Sequence, residues 1–155
     1  MNLRNTFFGI ILLSLIASCG GDDPFFFEDD FSTVPEAFSV EGITPDTTQT
    51  GLIIYEIALG SGDLEVGIRD DVEVFYTGRT TDKEIFDSSY KNSSDDPLRS
   101  SVRGFVDGFT EGLIGMKEGG KRVLVIPPSL AYEGTSNALR NDTLVFDVEI
   151  DTIIF

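Results

Sequence analysis

One segment of the chain, residues 105–134, limits the possible fold more than any other. It reads FVDGFTEGLIGMKEGGKRVLVIPPSLAYEG, and its apolar periodicity changes in the middle. Phe109, Leu113 and Met116 follow i, i+4, i+7 spacing, which predicts a short helix that starts after a turn and ends at Gly119. The run KRVLVI is rich in β-forming residues, and the prolines after it end a strand because they cannot donate to a ladder. A short helix is therefore predicted to lead directly into a sheet strand.

Alternation of apolar and polar residues predicts further strands on both sides of this segment. The runs that fit a strand are 52–59, 72–76, 84–87 and 143–151. In the last run, alternation places Phe146 and Val148 on the core side and Asp147 and Glu149 on the solvent side. The polar stretch 88–101 is predicted to be a loop. Because strands outnumber helices, the predicted fold class is α+β, with a largely antiparallel sheet and one short α-helix packed on it.

Five motifs, in this order, resemble the FKBP family of peptidyl-prolyl cis-trans isomerases. They are VFYTG at 74–78, FDSS at 86–89, GFTEGLIGMKEGGKR at 108–122, PPSLAY at 127–132 and TLVFDVE at 143–149. Because all five are in register over roughly 51–155, the resemblance is highly specific. It implies a twisted antiparallel β-sheet wrapped around one short α-helix, and it implies prolyl isomerase activity on proline-containing polypeptides.

The composition is compatible with this reaction. Isomerisation breaks no bond and needs no cofactor, and its barrier of about 18–20 kcal/mol comes from amide resonance. The chain has no His and one Cys, so it lacks the commonest general base and any thiolate metal cluster, and no metal site is predicted. The net charge of -16 argues against nucleic acid as a partner, because phosphates attract Lys and Arg.

The resemblance assigns eight residues to the site. Phe109 matches the aromatic floor under the proline ring, Asp87 the carboxylate at the edge, and Val106 the backbone N–H that binds a ligand carbonyl. The predicted catalytic residues are Tyr76, Asp87, Phe109 and Tyr132, and the predicted substrate-binding residues are Phe86, Phe105, Val106 and Phe146. Each has a structural alternative. The phenylalanines fit an ordinary core, Asp87 fits a turn cap, and Tyr132 fits a packed loop tyrosine.

Two departures from the family pattern affect the expected activity. Phe109 stands where the most active members carry Trp, so activity is expected to be kept but lower. The loop between Tyr132 and Thr143 is short, and it lacks the usual Ile-Pro-Pro before the last strand. The alternative function is therefore a binding module for proline-bearing segments, or a chaperone, with little or no turnover.

The N-terminus resembles a bacterial lipoprotein signal. Residues 1–18 are predicted to be a signal peptide, with Arg4 as the positive start and an apolar run too short to span a membrane. Ile16-Ala17-Ser18-Cys19 resembles a lipobox, which predicts lipidation of Cys19 and a membrane anchor. The alternative is an ordinary signal peptide with an incidental cysteine.

An acidic tether is predicted between this signal and the domain. Residues 19–50 hold no Lys or Arg and read as a linker, and the isomerase domain is predicted to span 51–155. Phe25–Phe27 is unusual for a linker, and packing on the domain and contact with the bilayer are both open. Acidic residues after the cysteine resemble surface-export signals, with plain solvation as the alternative. The predicted location is the cell envelope, anchored in the outer membrane, and the predicted oligomeric state is a monomer.

Overall fold

Seven antiparallel strands and one α-helix make up residues 29–155, the part of the chain that the computed structural model describes. The predicted signal peptide, Cys19 and Phe25–Phe27 lie outside the described residues. The strands are β1 (Asp46–Thr47), β2 (Ile53–Ala58), β3 (Asp71–Thr80), β4 (Ile85–Ser88), β5 (Leu98–Ser101), β6 (Lys121–Ile126) and β7 (Leu144–Ile154), and the helix is α1 (Asp107–Leu113). The sheet order is β1-β2-β6-β7-β3-β4, and β5 pairs with β3 beside β4. The predicted α+β class is confirmed, and β6 has the predicted bounds.

The helix is shorter than its spacing predicts. It ends at Leu113, because Ile114 is extended and Gly115 has a φ of 77°, the left-handed conformation that ends helices. The predicted end at Gly119 is therefore wrong. Met116 is still 2% exposed, because its N–H donates to the Leu113 carbonyl at 3.0 Å and the turn carries its side chain into the core.

Two glycines let the helix lie directly on the sheet. Gly108 and Gly112 are both buried, and each faces a side chain of β6. A Cβ on Gly112 would stand 2.6 Å from Leu124 Cδ2, closer than real Cβ atoms come to a neighbour. Close contact between α1 and β6 fixes the height of Phe109 above the sheet.

Adding a methyl group at this contact is expected to destabilise the fold. Gly112→Ala should lower the free energy of unfolding by about 2 kcal/mol net. A clash with two Leu124 carbons should cost about 3 kcal/mol, the upper end for overpacking a core, and helix propensity should return about 1 kcal/mol. Leu124→Val in the same chain should recover part of the loss, because it removes atoms the new methyl would meet. Urea unfolding of the single and double variants measures both effects. An unfolding midpoint in Gly112→Ala equal to that of the wild type would contradict the contact.

One strand runs past its predicted end, and another forms within a predicted loop. β3 continues through Thr80, and β5 lies within the predicted loop 88–101, where Leu98 pairs with Val74. β4 pairs with the second half of β3 and β5 with the first half, so two short strands share one edge. A short strand of this kind has too little periodicity to be recognised without its partner.

The prediction that Asp147 faces solvent is also wrong. Asp147 is 7% exposed, because an N-terminal arm, residues 29–41, crosses the outer face of the sheet. There Asp147 forms an ion pair with Arg79, which is 9% exposed and also donates to the Pro35 carbonyl at 3.1 Å. Lys121 Nζ lies 5.4 Å from the ring centre of Phe38. The outer face of the sheet is therefore covered by the chain itself.

The described part of the predicted tether is in contact with the sheet. Besides the arm, Asp46–Thr47 forms β1 and pairs with Ile53 and Ile54 of β2. The division of the chain at residue 50 stays a prediction, and these contacts place 29–50 beside the strands. No helix within residues 29–155 combines the length and the apolar character needed to cross a membrane.

Candidate active site

Aromatic rings from three strands, the helix and the segment before it meet on the side of the sheet that carries the helix. Phe109 is at the centre and 3% exposed. Its ring centre lies 5.0 Å from that of Phe146 and 6.0 Å from that of Tyr76, both edge-on. Phe105 is tilted against it at 4.6 Å, and Phe86 meets Phe146 edge-on at 5.5 Å. Edge-on contacts of this kind contribute stability in addition to that gained by burying the apolar area of the rings.

The chain places these rings by simple local rules. Phe109 is in the first turns of α1, on the face that rests against the sheet, and Phe146 and Tyr76 point to the same side from paired strands. Gly78 pairs with Phe146, and a Cβ at this position would come within 2.8 Å of both Phe86 and Phe146. The missing side chain at Gly78 therefore leaves room for the two rings to meet.

A hydrogen bond between Tyr76 and Asp87 forms one edge of the cluster. The Tyr76 hydroxyl donates to Asp87 Oδ2 at 2.6 Å, and the other carboxylate oxygen accepts from the Ser88 N–H at 3.0 Å. Lys91 Nζ also lies 3.2 Å from Asp87 Oδ1. The carboxylate is thus held from two sides, at the point where β4 ends.

All eight predicted site residues line one cleft. Its volume is about 370 Å³, with Phe109 and Phe146 buried and the other six half-buried at the walls and rim. The Val106 N–H at its edge has no hydrogen-bond partner within residues 29–155, while the Val106 carbonyl accepts from Thr110 at the start of the helix. The roles of these residues stay predictions. The structure shows that they are neighbours.

Three further residues line the cleft besides the eight predicted ones. They are Leu98, Ser100 and Gly104. Leu98 and Ser100 belong to β5, inside the stretch predicted as a loop, so only the pairing of β5 with β3 shows that they reach the site. Leu98 is 38% exposed and adds an apolar side chain to the lining of the cleft.

The surroundings change the acidity of two groups. Burial, and then the hydrogen bond to Asp87, raise the pKa of the Tyr76 hydroxyl well above its ordinary value of 10.0. The hydrogen bond to Asp87 likewise raises the pKa of Lys91. Both groups therefore keep their protons at neutral pH, and Tyr76 stays a hydrogen-bond donor.

The raised pKa of Tyr76 predicts a late step in alkaline titration. A pKa that is raised in the folded state contributes stability below the unfolded value of about 10, and this stability is lost as the pH rises through the folded value. Burial also raises the pKa of Tyr90, so absorbance of tyrosinate should show Tyr76 as the last of the four tyrosines to ionise. Tyr76→Phe should lack this last step, and Asp87→Ala should move it to lower pH. An unchanged last step in Tyr76→Phe would show that another tyrosine causes it.

The cleft offers an apolar surface for a flat ring, with polar groups only at its rim. It could hold a prolyl ring against Phe109, while the Val106 N–H or the Tyr132 hydroxyl donates to a neighbouring carbonyl. Within residues 29–155 no three His, Cys, Asp or Glu side chains group in a way that could hold a metal ion.

Comparison with known proteins identifies the family. Residues 62–151 match the model of FKBP-type peptidyl-prolyl cis-trans isomerases. The chain is 42% identical to the FKBP-type peptidyl-prolyl cis-trans isomerase FkpA of Escherichia coli over 106 residues, which are 67% of this chain. It is 40% identical over 102 residues to a probable FK506-binding protein of Corynebacterium glutamicum, covering 64% of this chain and 84% of that one.

Solved structures agree with this result. The crystal structure of FkpA from Escherichia coli matches with a TM-score of 0.64 and 40% identity, covering 71% of this chain and 51% of that one. A peptidyl-prolyl cis-trans isomerase from Pseudomonas syringae matches with a TM-score of 0.61 and 30% identity, covering 72% and 81%. The matched region spans 38% of the length of the curated E. coli relative. With its family model, its relatives and its fold in agreement, the chain belongs to the FKBP-type peptidyl-prolyl cis-trans isomerase family.

Proposed function

We propose that the chain is a peptidyl-prolyl cis-trans isomerase that acts on proline-containing polypeptides through the aromatic cleft, without a cofactor. The observation that carries the proposal is the Tyr76–Asp87 hydrogen bond at the edge of a cleft with Phe109 at its base. In a family of prolyl isomerases, this arrangement presents an apolar surface and a fixed polar edge to one bound proline.

The proposed mechanism relies on the change in polarity of the amide as it twists. A planar X-Pro amide has a polar, hydrated carbonyl, and rotation by 90° removes the resonance that makes it polar. An apolar cleft therefore favours the twisted amide over the planar one, and catalysis follows from that difference in binding. In this proposal Phe109 and Phe146 supply the apolar surface. The Val106 N–H fixes a substrate carbonyl, and Asp87 holds the Tyr76 hydroxyl in place.

The test measures isomerisation of short X-Pro peptides by the purified full-length chain in detergent, with several residues before the proline. We expect acceleration proportional to protein concentration. Asp87→Ala should lower kcat/KM by about tenfold, which corresponds to ~1.4 kcal/mol of transition-state stabilisation. Asp82→Ala is the matched control, because it removes the same charge from an exposed turn outside the cleft. Absence of acceleration by folded wild-type chain would overturn the proposal.

A second candidate function is a module that binds proline segments with little turnover, and Phe109 favours it. The most active family members carry tryptophan at this position, and phenylalanine offers a bound proline ring less area and no indole N–H. In that case the chain would bind a proline peptide, Phe109→Ala would weaken the binding, and isomerisation would stay at the uncatalysed rate. Titration of the same peptides by calorimetry separates the two functions.

The location is part of the proposal. The supporting feature is the lipobox-like Ile16-Ala17-Ser18-Cys19, which suggests that acyl chains on Cys19 anchor the chain in the outer membrane of the cell envelope. Cys19→Ser should release the protein from the membrane fraction, because it removes the residue that would carry the anchoring acyl chains. Protease added to intact cells distinguishes surface exposure from a periplasmic position, since only an exposed chain is cleaved.

A further inference from the structure

The first residues of the N-terminal arm, 29–33, contact the loop that follows Asp87. The Asn92 N–H donates to the Asp30 carbonyl at 2.7 Å, and the Asp30 N–H donates to Asn92 Oδ1 at 2.8 Å. Thr33 Oγ1 adds a contact to the Tyr90 carbonyl at 3.3 Å. The arm and this loop are more than fifty residues apart in sequence, and hydrogen bonds of opposite direction hold them together.

Two side chains of the loop extend this contact toward the cleft. Asn92 Nδ2 donates to Asp29 Oδ1 at 3.0 Å, and Lys91 Nζ lies 3.3 Å from Asp29 Oδ2. The same ammonium group lies 3.2 Å from Asp87 Oδ1. Lys91 is therefore shared between a carboxylate of the arm and the carboxylate at the edge of the cleft. The hydrogen bonds from Asn92 and Lys91 lower the pKa of Asp29, so it is ionised at neutral pH.

The loop has a backbone conformation that needs support. Asn92 and Ser93 have φ values of 57° and 59°, in the left-handed region that asparagine tolerates better than most residues. Two consecutive residues in this region are seldom stable in an unsupported loop. The paired hydrogen bonds to Asp30 hold Asn92 in place, and Asn92 is the residue next to Lys91.

We propose that the arm is a positioning element of the cleft: Asp29 and Asp30 hold Lys91 and Asn92, and these residues fix the Asp87 carboxylate against the Tyr76 hydroxyl. The proposal rests on the proposed isomerase function. It gives residues 29–30 of the predicted tether a role in turnover, in addition to linking the domain to its anchor. Asp29, Lys91 and Asn92 are positioning residues, because they act through Asp87.

The first test compares two substitutions that remove one negative charge from the arm. Asp29→Ala should lower kcat by about two- to tenfold, the rate change that corresponds to one net hydrogen bond. Glu41→Ala is the matched control, because it lies in the arm and contacts neither Lys91 nor Asn92 within residues 29–155. Asp29→Glu should recover much of the activity, since it keeps a carboxylate whose two oxygens can accept from Asn92 and Lys91. Peptide binding and the unfolding midpoint should stay as in the wild type.

A double-mutant cycle with Asp87 separates positioning from general support of the fold. If the arm acts through Asp87, Asp29→Ala in an Asp87→Ala background should cause no further loss, whereas independent effects would multiply. Asn92→Gly offers a second route, because glycine keeps the left-handed backbone while it removes both side-chain contacts. It should match Asp29→Ala in kcat, and the two combined should equal either alone.

The outcomes also separate this inference from the function on which it rests. A wild-type chain without activity overturns the proposed function. An active wild type with Asp29→Ala and Asn92→Gly equal to Glu41→Ala overturns the inference alone. A loss that is equally large in the Asp87→Ala background also overturns it, because the arm would then act by another route.

Discussion

Phe109→Ala is expected to reduce both activity and stability, with the largest combined effect of any single change in the cleft. Removing a 3%-exposed ring leaves a cavity, which should cost about 3–5 kcal/mol of the free energy of unfolding. It also removes the base of the cleft and the ring contacts to Phe105, Phe146 and Tyr76. The value of kcat/KM should fall by at least about tenfold, or ~1.4 kcal/mol. Urea unfolding and the peptide assay measure the two effects.

Two comparison variants separate the ring's catalytic contribution from its structural one. Phe109→Leu keeps most of the volume, so its stability should lie closer to the wild type while its activity stays low for lack of a flat surface. Phe155→Ala makes the same chemical change at a side chain that is 76% exposed, and both measurements should be unchanged. Full activity in folded Phe109→Ala would remove this residue from the site.

Arg79→Met should destabilise the chain through the charge that it leaves behind. Asp147 is buried under the arm, and its carboxylate would lose the guanidinium that compensates it. Breaking a buried ion pair by removing one partner costs about 3–5 kcal/mol, whereas replacing both with apolar residues is often neutral. Urea unfolding at neutral pH should therefore show a large loss for Arg79→Met and recovery in the double variant with Asp147→Leu.

This loss should depend on pH in a direction that follows from the pKa of Asp147. Burial raises this pKa above the unfolded value of 3.8, and Arg79 opposes the rise. A raised carboxyl pKa contributes stability that is full below 3.8 and lost as the pH rises through the folded value. Without Arg79 the pKa of Asp147 in the folded chain is higher still. The loss in free energy of unfolding caused by Arg79→Met should therefore be small near pH 4 and large at neutral pH.

The control for this prediction is Arg140→Met, which makes the same charge change at an exposed loop residue. Its free energy of unfolding should stay within a few tenths of a kcal/mol of the wild-type value. An Arg79→Met deficit of equal size at pH 4 and pH 7 would show that lost packing of the arginine stem, and not the charge of Asp147, causes the loss.

The class of fold and eight of the eleven residues that line the cleft were predictable from the sequence. The strand 121–126 and the helix around Phe109 are visible because their apolar residues repeat with the period of each structure. The eight predicted site residues came from the family resemblance, which rests on motifs in a fixed order, and the structure brings all eight together. Local periodicity and motif order are properties of the chain, so they can be read without a partner.

What covers each face of the sheet, and where its strands and the helix end, depends on contacts made in the folded chain. Asp147 alternates like a solvent-facing residue, yet the arm and Arg79 bury it. β5 becomes a strand only because β3 offers an edge, and that pairing brings Leu98 into the cleft. The contact of Asp29 with Lys91 joins residues 62 positions apart. Periodicity reports which side of a strand is apolar, whereas coverage and pairing depend on distant segments that meet only in the folded chain.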